Sequence, residues 1–174
     1  MNLKNKTLIV TGASSGIGAA AALLFAAEGA NLVIGARRQA DLDRVAGQIN
    51  QSNGRAVALS GDVAEAGFAE ALVARAEDEF GGLDGALNNA GTMGAMSPIP
   101  DMPDAVWNEV IATNLSSAFY AARAQIPAHP WLVDLLGASF LGTYAPLSVL
   151  KFALFDRFIF VDRTARTPGT TSAP

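Results

Sequence analysis

The 174-residue sequence predicts an α/β chain, a parallel sheet with helices on both faces. Two observations predict it. Short β-rich runs alternate with alanine-rich helical stretches in the order βαβαβαβ. The strands also read as continuous apolar runs, Leu8-Ile9-Val10 and Leu32-Val33-Ile34, as expected for strands covered on both sides. With 51% hydrophobic residues, the chain has enough apolar side chains for one compact domain with a real core.

In chain order, strands are predicted over 7–11, 31–36, 55–60 and 84–88, with helices over 17–28, 40–51 and 65–80 between them. Gly29 and Gly81-Gly82 stand where helices should stop, because glycine takes the left-handed cap conformation without a Cβ clash. A loop rich in Gly, Pro and Met covers 91–103, and Asp104 is placed to cap a long helix running to about residue 125. Beyond that the pattern changes. Five of the nine phenylalanines fall between Phe140 and Phe160, and prolines recur at 127, 130 and 146. A strand over 131–136 and a helix over 147–155 are the readings available there, and the last ten residues read as disordered. The chain thus divides into a first segment, 1–126, and an atypical C-terminal segment, 127–174, that is partly disordered.

Composition removes several functions. The net charge is −4 and charged residues make up only 16%, so no basic face is predicted for nucleic acid or an anionic membrane. There is no cysteine and a single histidine, His129, which argues against disulfides, thiolate chemistry and metal sites. The N-terminal apolar run ends at Thr11, too soon for a signal-peptide core, and the apolar stretch 19–27 is too short to cross a bilayer. The expected location is the cytoplasm.

The chemistry concentrates at the ends of the predicted strands. The first strand runs into Thr11-Gly12-Ala13-Ser14-Ser15-Gly16-Ile17-Gly18 and then a helix. In this arrangement glycines let the backbone approach a pyrophosphate at a positively polarised helix N-terminus. The plain alternative is tight strand-to-helix packing. At the end of the second strand, Ala36-Arg37-Arg38 offers guanidinium groups where an acid would bind a ribose diol. Guanidinium grips a 2′-phosphate through charge-assisted, paired hydrogen bonds, so NADP is expected over NAD. Ser14 offers a second hydrogen bond to that phosphate. The alternative is two solvated arginines, with Arg38 the bystander of the pair.

Thr-Gly-x-x-x-Gly-x-Gly resembles the cofactor fingerprint of the short-chain dehydrogenase/reductase family. Asn88-Asn89-Ala90-Gly91 resembles its second signature, and Gly61-Asp62-Val63 and Asn114 extend the likeness over about residues 3–126. The resemblance implies a Rossmann-like, doubly wound parallel sheet, C-terminally incomplete here. It implies that Gly12, Gly16 and Gly18 line the pyrophosphate, with Ile17 packed behind it and Ser14 and Ser15 in the same turn. Asp62 and Val63 would flank the adenine, and Asn88, Ala90 and Gly91 the nicotinamide ribose, the asparagines also bracing the central strands. Asp62 as a simple strand-end cap remains the alternative.

The resemblance also implies an activity, hydride transfer between NADP(H) and a small-molecule carbonyl or alcohol. That activity requires a tyrosine, a lysine four residues later that lowers its pKa, and a serine. Here Tyr120 is followed at that spacing by Ala124 and Tyr144 by Ser148. Lys151 lies seven residues after Tyr144, and Ser139 has the wrong surroundings. Of the family's catalytic residues only Asn114 remains, and its alternative is a polar side chain that disturbs a helix. The expected outcome is a nicotinamide-dependent fold inactive in this form, or a non-catalytic NADP(H)-binding protein or unstable product of a frameshifted gene. The family's habit of pairing through its fourth and fifth helices implies a homo-oligomer through the helix near 104–125.

Overall fold

The computed structural model describes residues 3–95 and 98–128. The expectations for Ser139, Tyr144, Lys151 and the segments 131–136 and 147–155 lie outside the described residues.

Strands and helices alternate as β1 (Thr7–Thr11), α1 (Gly16–Ala27), β2 (Asn31–Ala36), α2 (Gln39–Gln51), β3 (Arg55–Ser60), α3 (Ala66–Phe80) and β4 (Gly85–Leu87). The sheet order is β3-β2-β1-β4, with every pairing parallel. Ile9 pairs with Val33 on one side and Ala86 on the other. The chain therefore winds outward from β1 to β3 and then returns to the other side of β1. That reversal opens a crevice beyond the C-terminal ends of β1 and β4, where ligands bind in doubly wound sheets.

The apolar strands feed two cores. Val10, Leu32 and Ile34 face one side and pack with Leu42, Val45 and Ile49 of α2. Ile9 and Val33 face the other side and pack with Phe68, Leu72 and Val73 of α3. The period-2 geometry of a strand thus divides one continuous apolar run between two layers. On α2 the buried positions Leu42, Val45, Ala46 and Ile49 form a single helical stripe. Full burial of each large side chain stabilises the fold by about 1.5–3 kcal/mol. On α1 the buried residues are Gly18 and Ala22, one turn apart, so the helix presents small residues to the sheet.

The fourth helical region departs from expectation. Pro103, not Asp104, is the N-cap, because its carbonyl already accepts the N–H groups of Val106 and Trp107. Asp104 is the first helical residue, where its charge complements the helix dipole. Nor is the segment one regular helix. A π-helical turn, Ala112–Ser116, separates α4 (Asp104–Ile111) from α5 (Ser117–Gln125). The Ser117 hydroxyl donates to the Thr113 carbonyl across this wide turn, a side-chain bond that helps it persist. Arg123 on α5 reaches Glu70 on α3 at 3.8 Å. Among the described residues no helix is long and apolar enough to cross a membrane, and no acid, His or Cys cluster could hold a metal.

Candidate nucleotide site

The loops that follow β1, β2, β3 and β4 enclose a groove of about 330 Å³. Gly12, Ser14, Ser15, Arg37, Arg38, Asp62, Val63, Ala90 and Gly91 line it, joined by Ala36, Gly61 and Thr113. Four strand ends thus bring together most of the predicted cofactor residues. Gly16 and Gly18 follow in the same turn but do not line this groove, and Asn88 borders a separate cavity of about 40 Å³. Ile17 is 79% exposed, because Gly18 and Ala22 occupy the sheet-facing stripe of α1 and the neighbouring position turns outward.

Two glycines are required by close approach. Gly12 has φ +67°, and an added Cβ would lie 2.9 Å from the Ala90 Cα. A Cβ on Gly18 would run into the Gly12 carbonyl. The first turn of α1 therefore presses against the loop after β4. Above Gly16, by contrast, an added Cβ would meet no protein atom within 4 Å. Open space over a helix N-terminus with free N–H groups suits an anion, so the residues present fit a dinucleotide pyrophosphate.

Thr11 organises the junction and was not singled out from sequence. It is 4% exposed, and its Oγ1 accepts from the Asn89 and Ala90 N–H groups at 3.1 and 3.2 Å. The Asn89 amide donates back to the Thr11 carbonyl at 3.2 Å. Asn89 is thus the asparagine that braces the central strands. Asn88 instead exchanges two hydrogen bonds with Gln125 of α5, at 3.0 and 3.1 Å.

At the β2 end, Arg38 Nη2 donates to the Ser14 and Ser15 hydroxyls at 3.2 and 3.0 Å, while its Nε pairs with Asp41 at 2.9 Å. Arg44, which sequence reading passed over, donates to the Ser14 carbonyl at 3.4 Å. Arg37 is exposed on the groove and makes no hydrogen bond or ion pair among the described residues. Arg38, expected as the bystander of the two, is the one engaged with protein. Asp62 caps locally, its Oδ1 accepting from the Ala64 N–H at 2.9 Å, while it also lines the groove.

A family model described as short chain dehydrogenase matches residues 6–131. The chain belongs to the short-chain dehydrogenase family. An uncharacterized oxidoreductase of Listeria innocua is 37% identical over 128 residues, covering 74% of this chain and 51% of that protein. A 3beta-hydroxysteroid dehydrogenase of Mediterraneibacter gnavus is 36% identical over 121 residues, covering 70% of this chain and 44% of its own length. The crystal structure of L-sorbose reductase from Gluconobacter frateurii, complexed with NADPH and L-sorbose, superposes with a TM-score of 0.70 at 34% identity. That match covers 74% of this chain and 49% of the reductase. The chain spans about half the length of the curated relatives it matches.

In this short-chain dehydrogenase chain, Asn114 lies within the π-helical turn and uses both ends of its amide on one residue. Its Oδ1 accepts from the Thr92 N–H at 2.8 Å and its Nδ2 donates to the Thr92 carbonyl at 2.7 Å. The side chain holds the loop after β4 against the helical run. Tyr120, the only tyrosine among the described residues, sits edge-on to Phe119, with the Arg123 guanidinium 5.6 Å from its ring centre.

Proposed function

We propose that this chain binds NADP(H), with the pyrophosphate over the first turn of α1, the adenine between Asp62 and Val63, and Arg37 on the 2′-phosphate. One observation carries the choice of NADP over NAD. The chain leaving β2 presents an exposed guanidinium, Arg37, unpaired among the described residues, where an acid would favour a ribose diol. When bound, the nicotinamide supplies a hydride for exchange with a carbonyl or alcohol carbon. This chain's residues bind and orient it. Asn88, Ala90 and Gly91 are the residues proposed beside the nicotinamide ribose.

Fluorescence titration tests the assignment. NADPH binds more tightly than NADH, and Arg37→Ala weakens NADPH by roughly 10- to 100-fold, the value of a charge-assisted contact, while leaving NADH unchanged. Equal losses for both nucleotides overturn it.

The 174 residues contain no Tyr-x-x-x-Lys pair, and we propose that they bind the nucleotide without turning over a substrate. NADPH oxidation measured against a panel of ketones and quinones is expected to match the protein-free control. Clear turnover overturns this part. The exposed side chains of Trp107, Leu115 and Phe119 support pairing of two copies through the helical run. Sedimentation that gives a monomer at all concentrations refutes that pairing.

A further inference from the structure

We propose that Asn53-Gly54, between α2 and β3, is a site of spontaneous deamidation, which the capped end of α2 holds closed and release of that cap opens. It is the only Asn-Gly pair in the 174 residues. The turn leads into the N-terminal end of β3, at the opposite end of the parallel sheet from the nucleotide groove, so it stands apart from that site.

The chemistry needs only water and hydroxide. The main-chain nitrogen of Gly54, once hydroxide has taken its proton, attacks Cγ of the Asn53 amide. The new C–N bond closes a five-membered succinimide, and the amide nitrogen leaves as ammonia. Water then opens the ring. Breaking the bond to Cγ gives aspartate, and breaking the bond to the main-chain carbonyl carbon gives isoaspartate. Glycine favours the attack because no Cβ crowds the nitrogen.

In the fold that nitrogen is held away from the amide. Asn53 has φ 61°, the left-handed conformation of a residue just past a helix end, a place asparagine can take instead of glycine. There the Gly54 N–H donates to the Ile49 carbonyl at 3.0 Å, the bond that completes such a cap. Ring closure requires this bond to break and the Asn53 Cα–C bond to turn out of the left-handed region. Gly54 cannot move alone. A Cβ added to it would lie 2.7 Å from Ile49 Cγ2, and Ile49 is buried with Leu42 and Val45. Asn50 clamps the same turn, its Nδ2 donating to the Ala56 carbonyl at 3.0 Å and its Oδ1 accepting from the Ala56 N–H at 2.8 Å. An exposed Asn53 is thus kept unreactive by the cap and not by burial. Isoaspartate adds a main-chain carbon just ahead of Arg55, where pairing with Asn31 begins, so the modified turn cannot regain both the cap and the β3 register.

The full 174-residue chain is incubated in mildly alkaline buffer, with and without urea, and digested with trypsin. The fragment 45–55 is followed by tandem mass spectrometry, and its isoaspartate and aspartate forms are separated by chromatography. Asn53 is expected to deamidate at least about tenfold faster in urea, where the local structure that closes the site is lost. Asn50→Ala in buffer speeds the reaction about fivefold, the worth of its bonds to Ala56. Equal rates in buffer and in urea overturn the closure by the cap. No deamidation of Asn53 in either overturns the site. An Asn50→Ala chain that melts cooperatively yet deamidates no faster than the unsubstituted chain overturns the clamp. If Asn50→Ala fails to melt cooperatively, the buffer and urea rates of the unsubstituted chain decide the proposal.

Discussion

The two ends of the groove are made from similar polar residues, but they leave different groups available. At the β2 end, among the described residues, Arg37 makes no hydrogen bond or ion pair and no side chain caps the N-terminus of α1. At the β4 end the side-chain amides are spent on protein: Asn89 on Thr11, Asn88 on Gln125, and Asn114 on Thr92. The first end is arranged to receive an anion. The second is arranged to hold its own loop in place. A polar side chain in a family motif is thus a ligand contact or a brace according to what faces it: half-buried Asn89 must find a partner, and exposed Asn88 and Asn114 meet one because the fold brings Gln125 and Thr92 within reach.

Substitutions at the junction of the two ends test this contrast most severely. Gly18→Val forces two methyl groups and a Cβ into the Gly12 carbonyl, a backbone atom that cannot move without shifting Ala90. Overpacking of this kind usually costs about 1–3 kcal/mol, and more when it strikes backbone. The expected result is loss of the cooperative melt followed by circular dichroism; a variant that melts normally and binds NADPH breaks the account of the turn.

Thr11→Val comes next. It keeps the shape but removes the acceptor of two N–H groups, Asn89 and Ala90. Leaving a buried donor unsatisfied costs about 1–3 kcal/mol, so chemical denaturation should show a loss of at least about 2 kcal/mol. A neutral result means that Thr11 does not organise the junction.

Asn114→Ala sharpens the comparison between the ends. The two bonds to Thr92 lie at an exposed site, so losing them should cost about 1 kcal/mol in the same measurement. NADPH affinity should change less than about threefold, since the adenosine end is untouched. A large affinity loss with unchanged stability would make Asn114 a ligand contact instead of a brace. The smallest effect is expected for Gln125→Ala. Its pair with Asn88 is solvent-exposed, so denaturation should register less than about 1 kcal/mol.

Much of the fold was legible in sequence. The predicted strands 7–11, 31–36 and 55–60 coincide with β1, β2 and β3, because continuous apolar runs bounded by glycine and polar turns are a local signal. The fourth strand proved shorter than expected, Gly85–Leu87, since Asn88 leaves the ladder to meet Gln125. The helix after Pro103 was visible, but its π-helical turn was not. Residues 112–116 have no proline or glycine to mark a break, and the Ser117 bond to Thr113 is a feature any helical serine could adopt.

By itself the sequence determined the parallel α/β architecture, the glycine turn and the absence of an acid after β2, all properties of neighbouring residues. Tertiary structure decided which polar groups remain free. Arg38 meets Ser14 across 24 positions of sequence, Asn114 meets Thr92 across 22, and Asn89 meets Thr11 across 78. Hydrogen-bond partners so far apart are selected by the sheet order β3-β2-β1-β4, which brings four strand ends to one crevice. No local pattern encodes them, and so the availability of Arg37 and the commitment of Arg38 and Asn114 emerge only when the chain is folded.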